Sequence, residues 1–186
     1  RVPAGSHELV RWPSEPLARQ IADINKYSNN PMARNLLLTI AAESVTPATP
    51  EAASARVGAW LSEAGIDARS VVLRNGSGLS REEKIAAGTL AALLQRAWSQ
   101  PTMPEFMASL PVAGIDGTMA RRFTDAPLKG RAHIKTGSLS DVASIAGYVT
   151  AASGRRMVVV ALINHPKAND ARAAFDRLLE RVHADY

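Results

Sequence analysis

The chain has 186 residues, 46% of them hydrophobic, which is enough for one domain with a core of its own, and it nowhere holds the roughly 18 consecutive apolar residues of a membrane-spanning helix. Its net charge of +5 comes from arginines scattered singly or in pairs (Arg121-Arg122, Arg155-Arg156) without interleaved aromatics, which speaks against nucleic acid as a partner. The absence of cysteine excludes disulfides, thiolate catalysis and cysteine-held zinc, and His7, His133, His165 and His183 show no metal-ligand spacing, so no metal and no other cofactor is expected.

Residues 1–16 carry Pro3, Gly5, Pro13 and Pro16 and read as a lead-in, with Glu8 to Trp12 as a short strand. The opening residues, Arg1 to His7, lack the apolar stretch of a secretory signal, so an exported protein would carry that signal upstream. Leu17, Ile21 and Ile24, then Met32, Leu36, Leu37 and Ile40, recur at helical spacing with a break around Ser28 to Pro31, which predicts two helices and a tight link. Pro31 suits a first helical position and Asn30 its cap. Thr49-Pro50-Glu51 starts a third helix with Val57, Trp60, Leu61 and Ala64 as its buried stripe, and Gly65 ends it.

Ala68 to Leu73 reads as a short strand or extended link into the turn cluster Asn75-Gly76-Ser77-Gly78, where Ser77 is a turn residue. Ser80-Arg81-Glu82-Glu83 has the spacing of a capping box and predicts a helix with the stripe Ala86, Leu90, Leu93, Leu94 and Ala97. Residues 99–131, rich in proline, predict a long ordered connection with short helices at Pro104 to Ser109 and Gly117 to Arg122. Strands follow at Arg131 to Thr136, Ser144 to Ala151 and Met157 to Ile163, the last apolar throughout and so covered on both faces, with Ser153-Gly154 turning the final hairpin. Asn169 or Asp170 caps a last helix bearing Ala171, Ala174, Phe175, Leu178 and Val182 on one face.

Two stretches carry chemistry. In His133-Ile134-Lys135-Thr136-Gly137-Ser138 the compact charge of Lys135 stands beside the hydroxyls of Thr136 and Ser138, a trio suited to a carboxylate, and Gly137 lets a ligand lie close to the backbone. His133 falls on the strand face of Lys135, where a packed or solvated histidine is expected. Far upstream, Tyr27-Ser28-Asn29-Asn30 offers a hydroxyl and an amide two residues apart in a helix link. A strand ending in a turn explains the first stretch by itself, and an N-cap explains Asn30; together and in this order they match the S-x-N and K-T-G motifs of penicillin-binding proteins and β-lactamases.

Arg74 to Arg81, Leu110 to Thr118 and Lys135 to Ala151 resemble the D-alanyl-D-alanine carboxypeptidase/endopeptidase family of class C penicillin-binding proteins, a similarity over nearly the whole chain. The resemblance implies an α+β penicillin-binding protein/β-lactamase-like transpeptidase fold: an antiparallel sheet flanked by helices, with a cleft between sheet and helical part. It also implies that Ser28 relays a proton to the leaving amine, Asn30 holds the substrate amide and Lys135 supplies positive potential. Thr136 and Ser138 then grip the terminal carboxylate beside Gly137, and the Ser138 N–H forms half of an oxyanion hole. The implied partners are peptidoglycan stem peptides and β-lactams, in the periplasm or another extracytoplasmic space.

No serine in the chain is followed three residues on by lysine, so the family's S-x-x-K motif, which supplies the nucleophile and its activating lysine, is missing. Residues 1–186 are therefore expected to be the C-terminal part of one transpeptidase-like domain, an S-x-N helical region at 17–100 and a K-T-G sheet region at 131–186, with the motif and the first strands upstream in the same protein. Three other readings share these residues. A class A β-lactamase needs a deacylating glutamate, whereas Glu82 and Glu83 read as capping residues and no Glu-x-x-x-Asn lies between the motifs. An esterase of similar fold and a non-catalytic D-Ala-D-Ala-binding scaffold are the remaining two.

Overall fold

The computed structural model describes residues 3–186. Its helices are α1 (Leu17–Tyr27), α2 (Asn30–Ala42), α3 (Pro50–Glu63), α4 (Ala87–Trp98), α5 (Met103–Ser109) and α6 (Arg172–Asp185), with 3-10 turns at Gly117–Met119 and Ala168–Ala171. One antiparallel sheet of order β1-β2-β3 is built from β1 (Ala132–Leu139), β2 (Val142–Thr150) and β3 (Arg156–Asn164). The architecture is α+β. No helix among the described residues is long and apolar enough to cross a membrane.

Strand alternation divides the core into two layers. Ala132 and Ile134 of β1, Ala143, Ile145 and Val149 of β2, and Val159 of β3 bury one face against Phe175 and Leu179 of α6. On the other face Tyr148, Ala146, Val158 and Val160 meet Leu94 of α4 and Leu110, and the Tyr148 hydroxyl donates to Leu94 O at 2.7 Å. α2 and α3 form a separate packed pair through Leu37, Ala41 and Ala53. Gly147 lies opposite Ile134, and a Cβ there would collide with the His133 carbonyl, so the pairing of β1 with β2 requires glycine at this point.

Several local expectations change. Glu8 to Trp12 is not a strand; Leu9, Val10 and Trp12 stand in solvent, and no strand among the described residues pairs with them. Asn29 rather than Asn30 caps α2, accepting from the Met32 N–H at 3.1 Å. Trp60 is 42% exposed; of the expected stripe α3 buries Leu61, and it buries Ala53 as well.

Ser80 is no helix cap, because α4 begins only at Ala87. The Glu83 carboxylate accepts the N–H groups of Arg74, Asn75 and Gly76, and Val72 bridges Lys84, so the 72–84 segment closes on itself as a loop. β1 runs on to Leu139, which puts Lys-Thr-Gly inside the strand rather than at its end. β3 is packed by α4 and α6 but lies at the sheet edge, and only Val159 along it is fully buried. Asn169 and Asp170 make no cap of α6, whose buried positions are Phe175 and Leu179, with Leu178 outside.

Candidate active site

The last turn of α1 delivers Ser28. Its backbone is left-handed, φ 55° and ψ 46°, a conformation uncommon for a residue with a Cβ, and its N–H donates to Ile24 O to end the helix. Asn29 immediately caps α2, so the link is pinned at both ends. The Ser28 Oγ accepts a hydrogen bond of 3.0 Å from the Lys135 Nζ, joining residues 107 apart in sequence. Lys135 also donates to the Thr136 carbonyl at 3.0 Å, and burial lowers its pKa from the ordinary value. Asn30, the first residue of α2, is half-buried, and its side-chain amide has no hydrogen-bond partner among the described residues.

A half-buried strut holds this geometry. Lys26, in the last turn of α1, pairs with Asp116 at 2.7 Å and donates to Leu110 O at 3.1 Å, while Asn25 donates to Ser109 Oγ at 2.8 Å. Asp116 also accepts the Val112 N–H at 2.9 Å. The same segment pairs with β1: Ala113 N–H donates to Ala132 O at 2.9 Å and Ile134 N–H to Pro111 O at 2.8 Å. Residues 109–116 therefore clamp α1 to the strand that carries Lys135. His133 sits on the Lys135 face with Nδ1 3.2 Å from Met107 O, and burial is the main cause lowering its pKa.

The direction of the Ile134 N–H fixes which backbone groups of β1 point away from β2. Backbone N–H and C=O of alternate residues share a direction, so those of Thr136 and Ser138 also point outward, beyond the stretch that residues 111–113 cover. Side chains alternate as well. Lys135 leaves the strand towards α1 and Thr136 and Ser138 towards α6, while the Lys135 Nζ reaches round to the outward Thr136 carbonyl at the open edge. A Cβ at Gly137 would collide with Ser144 Oγ.

Thr136 Oγ1 donates to Thr118 Oγ1 at 3.2 Å, and Ser138 Oγ donates to Asn169 Oδ1 at 2.5 Å. Asn169 in turn donates to Leu139 O at 2.8 Å, which gives it a place beside the strand instead of the helix cap expected for it. Lys26, Asp116, Thr118 and Asn169 escaped sequence reasoning because each meets the site through a contact from a distant segment. Among the described residues no cluster of three or more His, Asp or Glu forms a metal site.

Residues 1–182 match the D-Ala-D-Ala carboxypeptidase 3 (S13) family. The chain belongs to this family. Within the S13 family it is 33% identical to a D-alanyl-D-alanine carboxypeptidase of Actinomadura sp. (strain R39) over 183 residues, 96% of this chain and 34% of that protein. It is 32% identical to a carboxypeptidase of Mycobacterium tuberculosis over 97% of this chain and 40% of that one. Among solved structures, penicillin binding protein 4 of Haemophilus influenzae in complex with a β-lactam superimposes with a TM-score of 0.78 at 28% identity, covering 89% of this chain and 42% of that one. The chain thus spans about a third to two fifths of the length of the relatives it matches.

Proposed function

We propose that the protein is a serine D-Ala-D-Ala carboxypeptidase/endopeptidase that cleaves peptidoglycan stem peptides through an acyl-enzyme outside the cytoplasm, and that β-lactams acylate it. The observation that carries this is the 3.0 Å contact between Ser28 and Lys135, which unites the S-x-N and K-T-G motifs at one point. Lys135 donates to Ser28 Oγ, so the hydroxyl's own proton is left to pass to a leaving nitrogen. Asn30 offers an unengaged amide to the substrate, and the outward N–H of Ser138 offers a donor to a developing oxyanion. Thr136 and Ser138 contribute hydroxyls for the terminal carboxylate, and Gly137 keeps the strand surface low.

The nucleophilic serine and its lysine come from an upstream part of the same protein, together with the first strands of the sheet, so the 186 residues by themselves are inactive. The missing S-x-x-K favours one second reading, a D-Ala-D-Ala-binding scaffold without hydrolysis. Intact mass before and after penicillin separates the two. The full-length protein gains one adduct and the 19.8 kDa chain gains none. Ser28→Ala slows adduct formation by about 10²- to 10⁴-fold, the usual contribution of a positioned proton donor. A full-length protein that takes no adduct points to the scaffold.

A further inference from the structure

Asp116, Gly117 and Thr118, consecutive in the chain, touch both motifs of the site. Asp116 pairs with Lys26, which stands just ahead of Ser28. Thr118 shares a hydrogen bond of 3.2 Å with Thr136, the neighbour of Lys135. Between them Gly117 has φ 56°, in the left-handed region that favours glycine, and its open side faces the Lys26 backbone. A Cβ on Gly117 would lie 2.7 Å from the Lys26 carbonyl oxygen and 3.1 Å from its Cα. Carbon and carbonyl oxygen meet at about 3.3–3.6 Å, so a single methyl group needs roughly 0.6–0.9 Å more room. Met119, fully buried beneath the sheet, anchors the turn, whereas α1 has no fully buried residue. The displacement therefore falls on the end of α1, and Ser28 moves with it.

We infer that Gly117 is a positioning residue for acyl transfer: its bare Cα seats the Lys26 carbonyl, and that seat sets the reach of Ser28 towards Lys135 and the substrate. The inference rests on the proposal that Ser28 relays a proton. In acylation the substrate C–N bond breaks and the leaving nitrogen takes the Ser28 hydroxyl proton, which Ser28 regains from the attacking serine. Transfer requires the hydroxyl within hydrogen-bond reach of that nitrogen, and a misplacement of about 1 Å costs about 10²-fold in rate. Asp116 thus ties the tripeptide to one motif, Thr118 ties it to the other, and Gly117 spaces the two. What demands glycine here is the contact as well as the backbone angle. Gly65, with φ 73°, shares the left-handed conformation, yet nothing stands within 4 Å of a Cβ placed on it.

The test compares two substrates of the full-length protein, an N-acylated peptide ending in D-Ala-D-Ala and an N-acylated D-alanine thioester of a thiol acid. Sulfur leaves as a thiolate without a proton, so only the peptide depends on the relay, while binding losses common to both substrates cancel in their ratio. Gly117→Ala lowers the peptide-over-thioester ratio of kcat/KM roughly 10- to 10²-fold, the effect of a displacement just under 1 Å. In the Ser28→Ala background, where no relay is left to misplace, Gly117→Ala changes the ratio no further. Gly65→Ala, with the left-handed strain but no contact, keeps the parent ratio. A ratio unchanged in Gly117→Ala, lowered equally in Gly65→Ala, or lowered again in the double variant overturns the inference. Where Gly117→Ala does not fold, Thr118→Val frees Thr136 from the turn and lowers the ratio about threefold, and Thr118→Ser restores it. A ratio unmoved by Thr118→Val then overturns it. Should neither substrate be hydrolysed, the proposed activity fails, and a crystal structure of the Gly117→Ala or Thr118→Val protein decides the positioning. The Ser28 Oγ to Lys135 Nζ contact lengthens beyond about 3.5 Å, and a contact kept at 3.0 Å overturns the inference.

Discussion

If the pair of Lys26 and Asp116 acts as one strut, its two halves are energetically coupled. The side chains are 17% and 36% exposed, so the 2.7 Å contact is shielded more than a surface ion pair but is not fully dry. A surface pair is worth about 0.2–1 kcal/mol, and a hydrogen bond to a charged group about 1.5–3 kcal/mol. Lys26→Met keeps the apolar stem and removes the charge; Asp116→Asn keeps an acceptor for the Val112 N–H. Each variant should therefore lose about 1–2 kcal/mol, the intermediate value that partial exposure leaves. The double variant should lose little more than the larger single loss, a coupling of about 1 kcal/mol. Urea unfolding of the full-length proteins, followed by tryptophan fluorescence, measures all four corners of the cycle. Losses that simply add would refute the strut and reduce the contact to two unrelated surface interactions.

Two further outcomes are expected. Gly147→Ala drives a Cβ into the His133 carbonyl and should cost about 3 kcal/mol or more, seen as a large fall in the unfolding midpoint; a variant as stable as the parent would show that the β1–β2 register is other than described. Lys135, its pKa lowered by burial from the ordinary 10.5, is charged in both folded and unfolded chains at low pH and deprotonates first in the folded chain. Its contribution to stability thus rises as pH climbs from the lowered folded pKa towards 10.5 and is flat above and well below that window. Carbon-13 NMR of the lysine ε-methylenes should show one resonance titrating below 10.5 that disappears in Lys135→Met; titration of that resonance at or above 10.5 would refute the burial argument.

What could be read from the residues was what local chemistry dictates. Helical spacing located α1 and α2, Thr49-Pro50 gave the start of α3 with its cap, and the two triplets at Ser28 and Lys135 exposed the site because each is contiguous. The misreadings have one cause, a distant competitor for a local partner. Ser80 and Glu83 have capping-box spacing, yet Glu83 finds three backbone N–H groups seven to nine residues earlier. Asn169 looks like a helix cap, yet Ser138 and Leu139 claim both ends of its amide across about 30 residues. The end of β1 was also misplaced. A strand running through the motif to Leu139 sends alternate side chains to opposite faces, whereas the triplet and Gly137 read as a strand ending in a turn.

The pairing of residues 111–113 with Ala132 and Ile134 has a consequence for how much of the β1 edge is open to another chain. An open strand edge invites any other extended chain to join the sheet, and the hazard grows with the length of the opening. Here the cover ends at the Ile134 N–H and the hairpin to β2 begins after Leu139, so among the described residues of β1 the open outward groups run from the Ile134 carbonyl to Ser138. At about 3.3 Å per residue that opening is roughly 13 Å of edge. It is long enough to hold the end of a peptide and shorter than β1 as a whole.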